Sequence, residues 1–228
     1  MNHEYSVVVV GACVMLLPSA DNTADYDDLI NSVLLSQLAA SQKVKKTPSI
    51  DWFDAYLKLM DNYWLRYSRM RQDWFVNDRD VESIGEWING AISNNEKEDA
   101  AAAVTTLQQL AQLSGAEPVM ALLRAHMQTP ATEPDKALAA DETVRLLVIV
   151  ASTPTCISSV FVQLKTHVPV EPNPFDQRFE AQDVQGSVSL RYAKASLSET
   201  LYKPVREAIA SKVADKHEPH VLKMTQDW

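Results

Sequence analysis

One stretch, from Ser49 to Val76, constrains this chain more than any other because it concentrates aromatic residues. It holds eight of the seventeen Phe, Trp and Tyr residues, so whatever structure it forms must be covered by other parts of the protein. Its apolar side chains recur every three or four residues, which predicts one α-helix of about seven turns. The residues of this stripe are Phe53, Tyr56, Met60, Tyr63, Tyr67, Met70 and Trp74. Further aromatic residues widen the stripe, so we expect the rest of the fold to wrap the helix.

Aromatic residues in such a stripe have two interpretations. The first is a packed core helix, because apolar residues at helical spacing most often serve packing. The second is an interaction surface, because Trp, Tyr, Met and Arg are enriched at the energetic centres of protein interfaces. Only the exposure of the rings separates the two. The residues that we predict for an interaction surface are Trp52, Tyr56, Tyr63, Trp64, Tyr67, Trp74, Phe175 and Trp228.

Continuous apolar runs near both ends of the chain predict β-strands. Residues Ser6 to Leu17 form a β-branched run, as expected of one strand that is buried on both faces, and Gly11 within it suggests a bulge. Residues 144–166 predict a hairpin with a turn at Thr153 and Pro154. Residues 187–195 alternate between apolar and polar side chains, which predicts a third strand.

Helical patterns dominate the middle of the chain, residues 25–128. Residues 129–141 predict a linker because prolines and small residues interrupt any period, residues 142–195 are strand-rich, and a final helix is predicted over about residues 197–216. Strands at both ends favour a shared sheet. We therefore predict a single α+β domain over residues 1–228, in which a small mixed β-sheet (the N-terminal strand plus the C-terminal strands) packs against five to six α-helices.

Composition and short motifs argue against several classes of function. The formal net charge of −9, with no cluster of Lys and Arg, disfavours nucleic acid as a partner, because a phosphate backbone requires concentrated positive charge. With five glycines, the chain lacks the glycine-rich loops that cradle nucleotides. His217 and His220 lie close in sequence, but Pro219 between them breaks helical spacing, so a solvated tail is the simpler interpretation. We predict no catalytic residue, no metal site and no cofactor.

The cysteines and the N-terminus bear on the compartment. Cys13 and Cys156 lie far apart within apolar runs, which favours buried free thiols over a disulfide bridge. The apolar run that begins at Val7 lacks a positively charged flank and is too short to cross a bilayer, so neither a signal peptide nor a transmembrane helix is predicted. We expect a cytoplasmic protein, and secretion by a route without a signal peptide stays open.

Three kinds of function remain. We rank first a non-catalytic protein that binds a protein partner or assembles into a homo-oligomer, because surplus aromatic surface and strand edges favour association. The first alternative is a membrane-active, pore-forming toxin-like protein that uses the strand pair of residues 144–166, where small hydroxyl and apolar side chains interleave. We disfavour a membrane because the same pattern fits a soluble sheet. The second alternative is an enzyme without a recognisable local motif, with Asp51, Asp54 and Asp61 as candidates for acid-base chemistry.

Overall fold

A mixed β-sheet with helices on both faces forms the body of the protein. The computed structural model describes residues 5–77, 81–96, 100–129 and 142–224. Its strands are β1 (Tyr5–Val10), β2 (Cys13–Pro18), β3 (Trp64–Trp74), β4 (Glu82–Ser83), β5 (Gln128–Thr129), β6 (Glu142–Thr153), β7 (Cys156–Thr166), β8 (Arg178–Phe179), β9 (Val188–Leu197) and β10 (Val221–Lys223). Its α-helices are α1 (Asp27–Lys46), α2 (Trp52–Met60), α3 (Ile84–Asn95), α4 (Ala100–Ala111), α5 (Pro118–Met127), α6 (Glu199–Tyr202), α7 (Arg206–Val213) and α8 (His217–His220). The predicted fold class, a single α+β domain with a mixed sheet, is confirmed.

The sheet joins the two ends of the chain. Its strands hydrogen-bond in the order β10-β1-β2-β6-β7-β9-β3, and β5 pairs beside β6. Only β2 and β6 run parallel among the described strands, and the other neighbours are antiparallel. The N-terminal strands therefore lie directly against the hairpin of β6 and β7. Of the predicted linker at residues 129–141, only Thr129 lies within the described residues, where it ends β5.

The first apolar run forms a hairpin, so the prediction of one continuous strand is wrong. Val10 lies opposite Cys13, and the chain reverses through Gly11 and Ala12. Gly11 has a φ of 55°, a backbone conformation that favours glycine and that suits a tight hairpin turn. The side-chain amide of Gln37 holds this turn from α1, because it accepts a hydrogen bond from the Ala12 nitrogen at 3.0 Å and donates one to the Val10 carbonyl at 2.8 Å.

Two apolar cores lie on opposite faces of the sheet. Alternate residues of β1 contribute to each of them, with Val7 and Val9 on one face and Val8 and Val10 on the other. Helices α3, α4 and α5 cover the first face, whereas α1, α2 and α7 cover the second. Burial of apolar surface stabilises the fold by roughly 25 cal/mol per Å². Because both faces of the sheet are buried, every position of these strands favours an apolar side chain, which explains their continuous apolar runs.

The aromatic stretch is divided between a helix and a strand, so the prediction of one long helix is wrong. Helix α2 ends at Met60, and the Asn62 side chain donates a hydrogen bond to the Leu59 carbonyl at 3.1 Å, which satisfies one of the free carbonyls at the helix end. Strand β3 begins two residues later at Trp64. The Trp64 ring is 1% exposed and its indole nitrogen donates to the Ser32 hydroxyl at 3.0 Å, so this residue anchors the strand to α1.

The C-terminal part also differs from the expected single helix. Pro204 follows α6 and lacks a backbone N–H, and α7 begins two residues after it. The chain then forms α8 and adds β10 to the edge of β1. His217 hydrogen-bonds to the Asn31 side chain at 2.7 Å, and the His220 ring stacks on His126 with their centroids 4.5 Å apart. The interpretation of this segment as a solvated tail is therefore wrong.

The proline-rich segment around residues 168–175 packs against the body of the protein. Phe175 is 1% exposed, and its carbonyl accepts a hydrogen bond from the Gly85 nitrogen at 3.2 Å. The Asn173 side-chain nitrogen donates to three carbonyls at the end of α4, those of Leu110, Ala111 and Leu113. This amide therefore caps the helix from a distant part of the sequence.

Both cysteines are free thiols, as predicted. Cys13 is buried in β2, and burial raises the pKa of its thiol well above the usual value. Cys156, at the start of β7, is only half-buried, so the expected burial holds for Cys13 alone.

Candidate functional site

The candidate site is the free edge of the sheet at β3. Ten residues of β3 pair with β9, from Trp64 opposite Leu197 to Trp74 opposite Val188. Within the described residues no strand pairs with the opposite edge of β3. An unpaired edge presents a row of backbone N–H and C=O groups that another extended segment can bind. Strand β3 has eleven residues, so its free edge is far longer than that of the three-residue β10 at the other end of the sheet.

A β-bulge divides the edge strand into two parts. The register shifts between Arg66 and Ser68, so that Tyr67 is the additional residue. From Ser68 to Trp74 the pairing with β9 is regular. This seven-residue part is therefore the stretch that can accept another strand.

Large apolar side chains are exposed along β3 and just after it. Leu65, Tyr67 and Met70 are 52%, 65% and 37% exposed, and Phe75 is 75% exposed. Among the described residues, only Ile50 and Leu201 join these four as exposed large apolar residues. Single exposed apolar residues are ordinary, but four along one strand edge mark this region as a candidate interaction surface.

The two faces of β3 differ in chemistry because directly opposed residues of paired strands share a face. On the face toward α2, Arg66, Arg69 and Arg71 lie opposite Ala195, Ala193 and Arg191. We call Arg66, Arg69, Arg71 and Arg191 the arginine face. On the face toward α3, Met70, Gln72 and Trp74 lie opposite Tyr192, Leu190 and Val188. The strand thus presents three arginines and Asp73 to one side, and the uncharged side chains of Met70, Gln72 and Trp74 to the other.

Three members of the arginine face are already paired with carboxylates. Arg66 bonds to Asp61 through two nitrogens, and Arg71 bonds to Asp73 at 2.7 Å. The hydrogen bond from Arg71 lowers the pKa of the Asp73 carboxyl below its usual value. Arg69 is exposed, and its guanidinium has no ion pair or hydrogen bond with any other described residue.

Arg191 is the least exposed member of this face. Its two terminal nitrogens reach Asp54 at 2.7 Å and Asp51 at 3.4 Å, and its guanidinium lies over the Phe53 ring at 5.2 Å from the centroid. Asp51, Asp54 and Asp61 therefore serve ion pairs with arginines of this face, and Asp51 also caps α2 through the Asp54 nitrogen. This arrangement gives no support to the acid-base role considered from the sequence.

A cavity of about 380 Å³ lies between α2 and the arginine face. Phe53 and Leu57 of α2 form its apolar wall, and the four arginines form the opposite side. Arg191 binds both Asp51 and Asp54, and the other arginines of this face except Arg69 also have carboxylate partners. Arg69 is therefore the guanidinium that can bind an incoming anionic group here.

A second groove, of about 730 Å³, lies between the other face of β3 and α3, and we call it the aromatic groove because Trp74, Phe75 and Trp87 line it. The Trp74 and Trp87 rings meet edge to face with centroids 5.4 Å apart, and the Trp87 nitrogen donates to Glu82 at 2.9 Å. Met70, Trp74 and Phe75 line the side of the groove that β3 contributes. No Lys or Arg lines this groove within the described residues. Its lining combines polar Asn, Gln and Glu side chains with an apolar part formed by Met70, Trp74, Trp87 and Leu190, and a large apolar side chain can pack on that part.

Four of the predicted interaction residues are buried, so the prediction of an exposed surface is wrong for them. Trp52, Tyr56, Trp64 and Phe175 are 4%, 3%, 1% and 1% exposed. Trp52 stacks between Tyr56 and Phe161, with centroid distances of 5.6 and 5.7 Å. These rings fill the core under α2 or, for Phe175, under α3, which is the packing interpretation of the aromatic stripe.

The other predicted interaction residues differ in their exposure. Tyr67 is the exposed bulge residue of β3, and Trp74 is half-buried at the wall of the aromatic groove. Tyr63 is half-buried and meets the Tyr202 ring edge to face at 5.5 Å. Trp228 lies outside the described residues.

The residues that sequence reasoning missed are Leu65, Arg69, Met70 and Phe75. A signal was present, because Arg69, Arg71 and Asp73 alternate with Met70, Gln72 and Trp74 in a period of two, which is typical of a strand. The pair Asp61 and Asn62 was a second signal, since such residues often end helices.

Neither metal binding nor a membrane-spanning helix is indicated by the described part of the chain. No three His, Cys, Asp or Glu side chains there are close enough to hold a metal ion. None of the described helices combines the length and the apolar character needed to cross a bilayer.

Comparisons with known proteins give only distant structural similarity. No protein-family model and no curated protein matches the chain. A solved structure described as a delta-endotoxin is 10% identical, over 76% of this chain and 78% of that chain, with a TM-score of 0.40. The activated Cyt2Ba monomer from Bacillus thuringiensis subsp. israelensis is 9% identical, over 72% of this chain and 93% of that chain, with a TM-score of 0.35. Similarities this weak assign neither a family nor a function.

Proposed function

We propose that this protein is a non-catalytic binding protein that takes up an extended segment of a partner protein at the free edge of β3. The observation that carries the proposal is the long unpaired edge with exposed side chains on both of its faces. In binding of this kind, main-chain hydrogen bonds supply affinity and the pockets for alternate side chains supply specificity.

Charge favours a partner with acidic residues. Strand β3 carries three arginines and one aspartate, in a protein whose net charge is −9. The only guanidinium of the arginine face that lacks a carboxylate among the described residues is Arg69. An acidic segment would pair with it, and opposite charges on neighbouring strands stabilise their pairing.

The same charges disfavour a second copy of this chain as the occupant. Over the regular part of β3, from Ser68 to Trp74, an antiparallel pair of two copies is centred on Arg71, so the two Arg71 side chains would lie directly opposite each other. Arg69 would meet only Asp73, which Arg71 already engages. A parallel pair in register would place all three arginines beside their copies. Like charges in these positions destabilise strand pairing, and natural edge strands use them to prevent self-association.

Amide hydrogen exchange tests the proposal directly. A synthetic acidic peptide of alternating Glu and Thr is added to the full-length protein, and exchange is followed along the chain. We expect slower exchange in β3 and unchanged exchange in β10. The variant Arg69→Glu should lose this protection, whereas Lys45→Glu, an equivalent reversal of an exposed charge on α1, should keep it.

Three results would overturn the proposal. The first is unchanged exchange in β3 with every acidic peptide. The second is protection of β3 without peptide that grows with protein concentration, together with a dimer in light scattering, which would identify a second copy as the occupant. The third is binding to anionic lipid vesicles that Arg69→Glu abolishes while peptides have no effect, which would identify a membrane surface instead.

The membrane-active alternative concerns β6 and β7, the predicted strand pair. Both strands have neighbours on each side in the sheet, and helices cover both of their faces. They would have to leave these contacts before they could enter a bilayer. Release of an encapsulated dye from vesicles by the wild-type protein would favour this alternative over strand addition.

A further inference from the structure

The chemistry of the two faces of β3 also restricts the sequence of the bound segment. In a strand added beside β3, successive side chains point to opposite faces of the sheet. Every second side chain would therefore lie beside the arginine face, and the side chains between them would lie beside Met70, Gln72 and Trp74.

On the side toward α2, the neighbours of the added strand are Arg69, Arg71 and Asp73. The Arg69 guanidinium has no carboxylate among the described residues, and it opens onto the cavity beneath α2. Arg71 is exposed and shares its charge with Asp73. A carboxylate placed two residues from another along the added strand would reach both arginines, whereas an apolar side chain would cover Arg69 without supplying a partner.

On the side toward α3, the neighbours of the added strand are Met70, Gln72 and Trp74, so two of the three offer apolar surface. Met70 is 37% exposed, and Trp74 forms one wall of the groove whose floor includes Trp87 and Leu190. The carboxylates in this groove are already engaged, since Glu82 accepts from Trp87 and Glu86 accepts from Ser83 and Arg178. A further acidic side chain would meet these carboxylates without a cation, whereas a large apolar side chain would be removed from water.

We propose that the segment bound at β3 alternates acidic residues with large apolar residues, with the acidic side chains on the arginine face and the apolar side chains in the aromatic groove. This inference rests on the proposed strand addition and specifies the partner by its pattern. The regular part of β3, Ser68 to Trp74, accommodates two acidic residues, opposite Arg69 and Arg71, and about three apolar residues, opposite Met70, Gln72 and Trp74, because one residue of the added strand lies opposite each residue of β3. The position opposite Asp73 suits a neutral side chain.

Four synthetic peptides of equal length separate the contributions of the acidic residues, the apolar residues and their alternation to binding. The first alternates Glu and Leu, the second alternates Glu and Ser, and the third alternates Lys and Leu. The fourth has the composition of the first with the Glu and Leu residues in separate blocks. Affinity is measured by calorimetry, and strand addition is measured independently by amide exchange in β3.

We expect the alternating Glu and Leu peptide to bind at least about tenfold more tightly than each of the others, because cross-strand pairs contribute about 0.2–1 kcal/mol each and several act together. Arg69→Ala should lower the affinity for this peptide by about two- to fivefold and leave the preference for Leu over Ser unchanged. Trp74→Ala should remove the preference for Leu over Ser and leave the preference for Glu over Lys. Lys45→Ala on α1 serves as the matched surface control and should change neither preference.

The outcomes distinguish this inference from the proposed function. If all four peptides slow exchange in β3 with equal affinities, strand addition stands and the alternating pattern is refuted. If the block peptide or the Lys and Leu peptide binds as tightly as the first, the assignment of the two faces is refuted. If no peptide slows exchange in β3, both proposals fail.

Discussion

The stacked pair of His126 and His220 should make the stability of this protein sensitive to mild acid. His126 lies on α5, and its Nε2 is 3.2 Å from the Pro219 carbonyl. His220 ends α8, and its Nδ1 is 3.0 Å from the Lys216 carbonyl. Among the described residues no carboxylate lies within ion-pair distance of either ring. The pair therefore accommodates neutral imidazoles and resists a second positive charge.

The direction of the effect follows from the pKa of His220. Burial lowers this pKa below the usual value of 6.5, and the neighbouring charges of His126 and Lys216 lower it further. The hydrogen bond to the Lys216 carbonyl raises the pKa and offsets only part of this effect. In the unfolded chain His220 regains an ordinary pKa, so between the two values the unfolded state binds more protons. The contribution of neutral His220 to the free energy of unfolding is fully present above about pH 6.5. It is lost as the pH falls from there toward the lowered pKa of the folded state.

The magnitude follows from the distance between the rings. Two unit charges about 4 Å apart repel by about 1 kcal/mol in water and about 4 kcal/mol near a protein surface. The centroids are 4.5 Å apart and both rings are half-buried, so we expect a loss of about 1–2 kcal/mol. For a chain of this size, each kcal/mol lowers the melting temperature by about 2–4 °C.

Urea unfolding at several pH values between about 7 and 5 measures this loss. The variant His126→Gln keeps a hydrogen-bond donor near the Pro219 carbonyl but cannot be charged, so its stability should fall less steeply with pH. His167→Gln, at an exposed histidine, should behave like the wild type. The reasoning is refuted if His126→Gln and the wild type show the same pH dependence, or if His220 titrates in NMR at or above about 6.5.

Three further changes test the packing that supports the sheet. Gln37→Leu removes both hydrogen bonds to the turn between β1 and β2 and should cost about 1–3 kcal/mol in urea unfolding, whereas Gln42→Leu on the exposed side of α1 should cost little. Asn173→Ala removes the cap of α4 and should cost about 1–2 kcal/mol, with faster amide exchange confined to the last turn of that helix. Phe161→Ala opens a cavity beneath α2 and should cost about 3–5 kcal/mol in thermal unfolding, and a loss under 1 kcal/mol would contradict the tight stacking on Phe53.

The elements that could be predicted from the sequence are those whose pattern is set by burial. The apolar runs of β1, β2, β6 and β7 are covered on both faces, so their residues are uniformly apolar and the shared sheet follows. Helix α5 was predictable because Pro118 marks its first turn. The bulge predicted at Gly11 is a hairpin turn instead. A glycine within an apolar run fits either structure, and only the pairing of Val10 with Cys13 separates them.

The edge strand could not be predicted in the same way because little of it is buried. Between Leu65 and Asp73 most side chains of β3 are exposed, so burial imposes no strict alternation there. The bulge at Tyr67 also shifts the alternation by one residue, and the apolar residues on either side of it then match helical spacing by chance. The candidate site could not be predicted for the same reason, because only the order of strands in the folded sheet places Arg69 and Met70 on a free edge.

The parallel pairing of β2 with β6 has a consequence for how the chain is made. The hairpin of β1 and β2 is synthesised before β6, so Cys13 and Met15 find their neighbours Leu147 and Ile149 only after the long intervening segment has been made. During that interval the nascent hairpin presents a strand side that is almost wholly aliphatic to solvent or to other growing chains. We therefore expect newly made chains to depend on a chaperone, and slow translation between these two regions to lower the yield of folded protein.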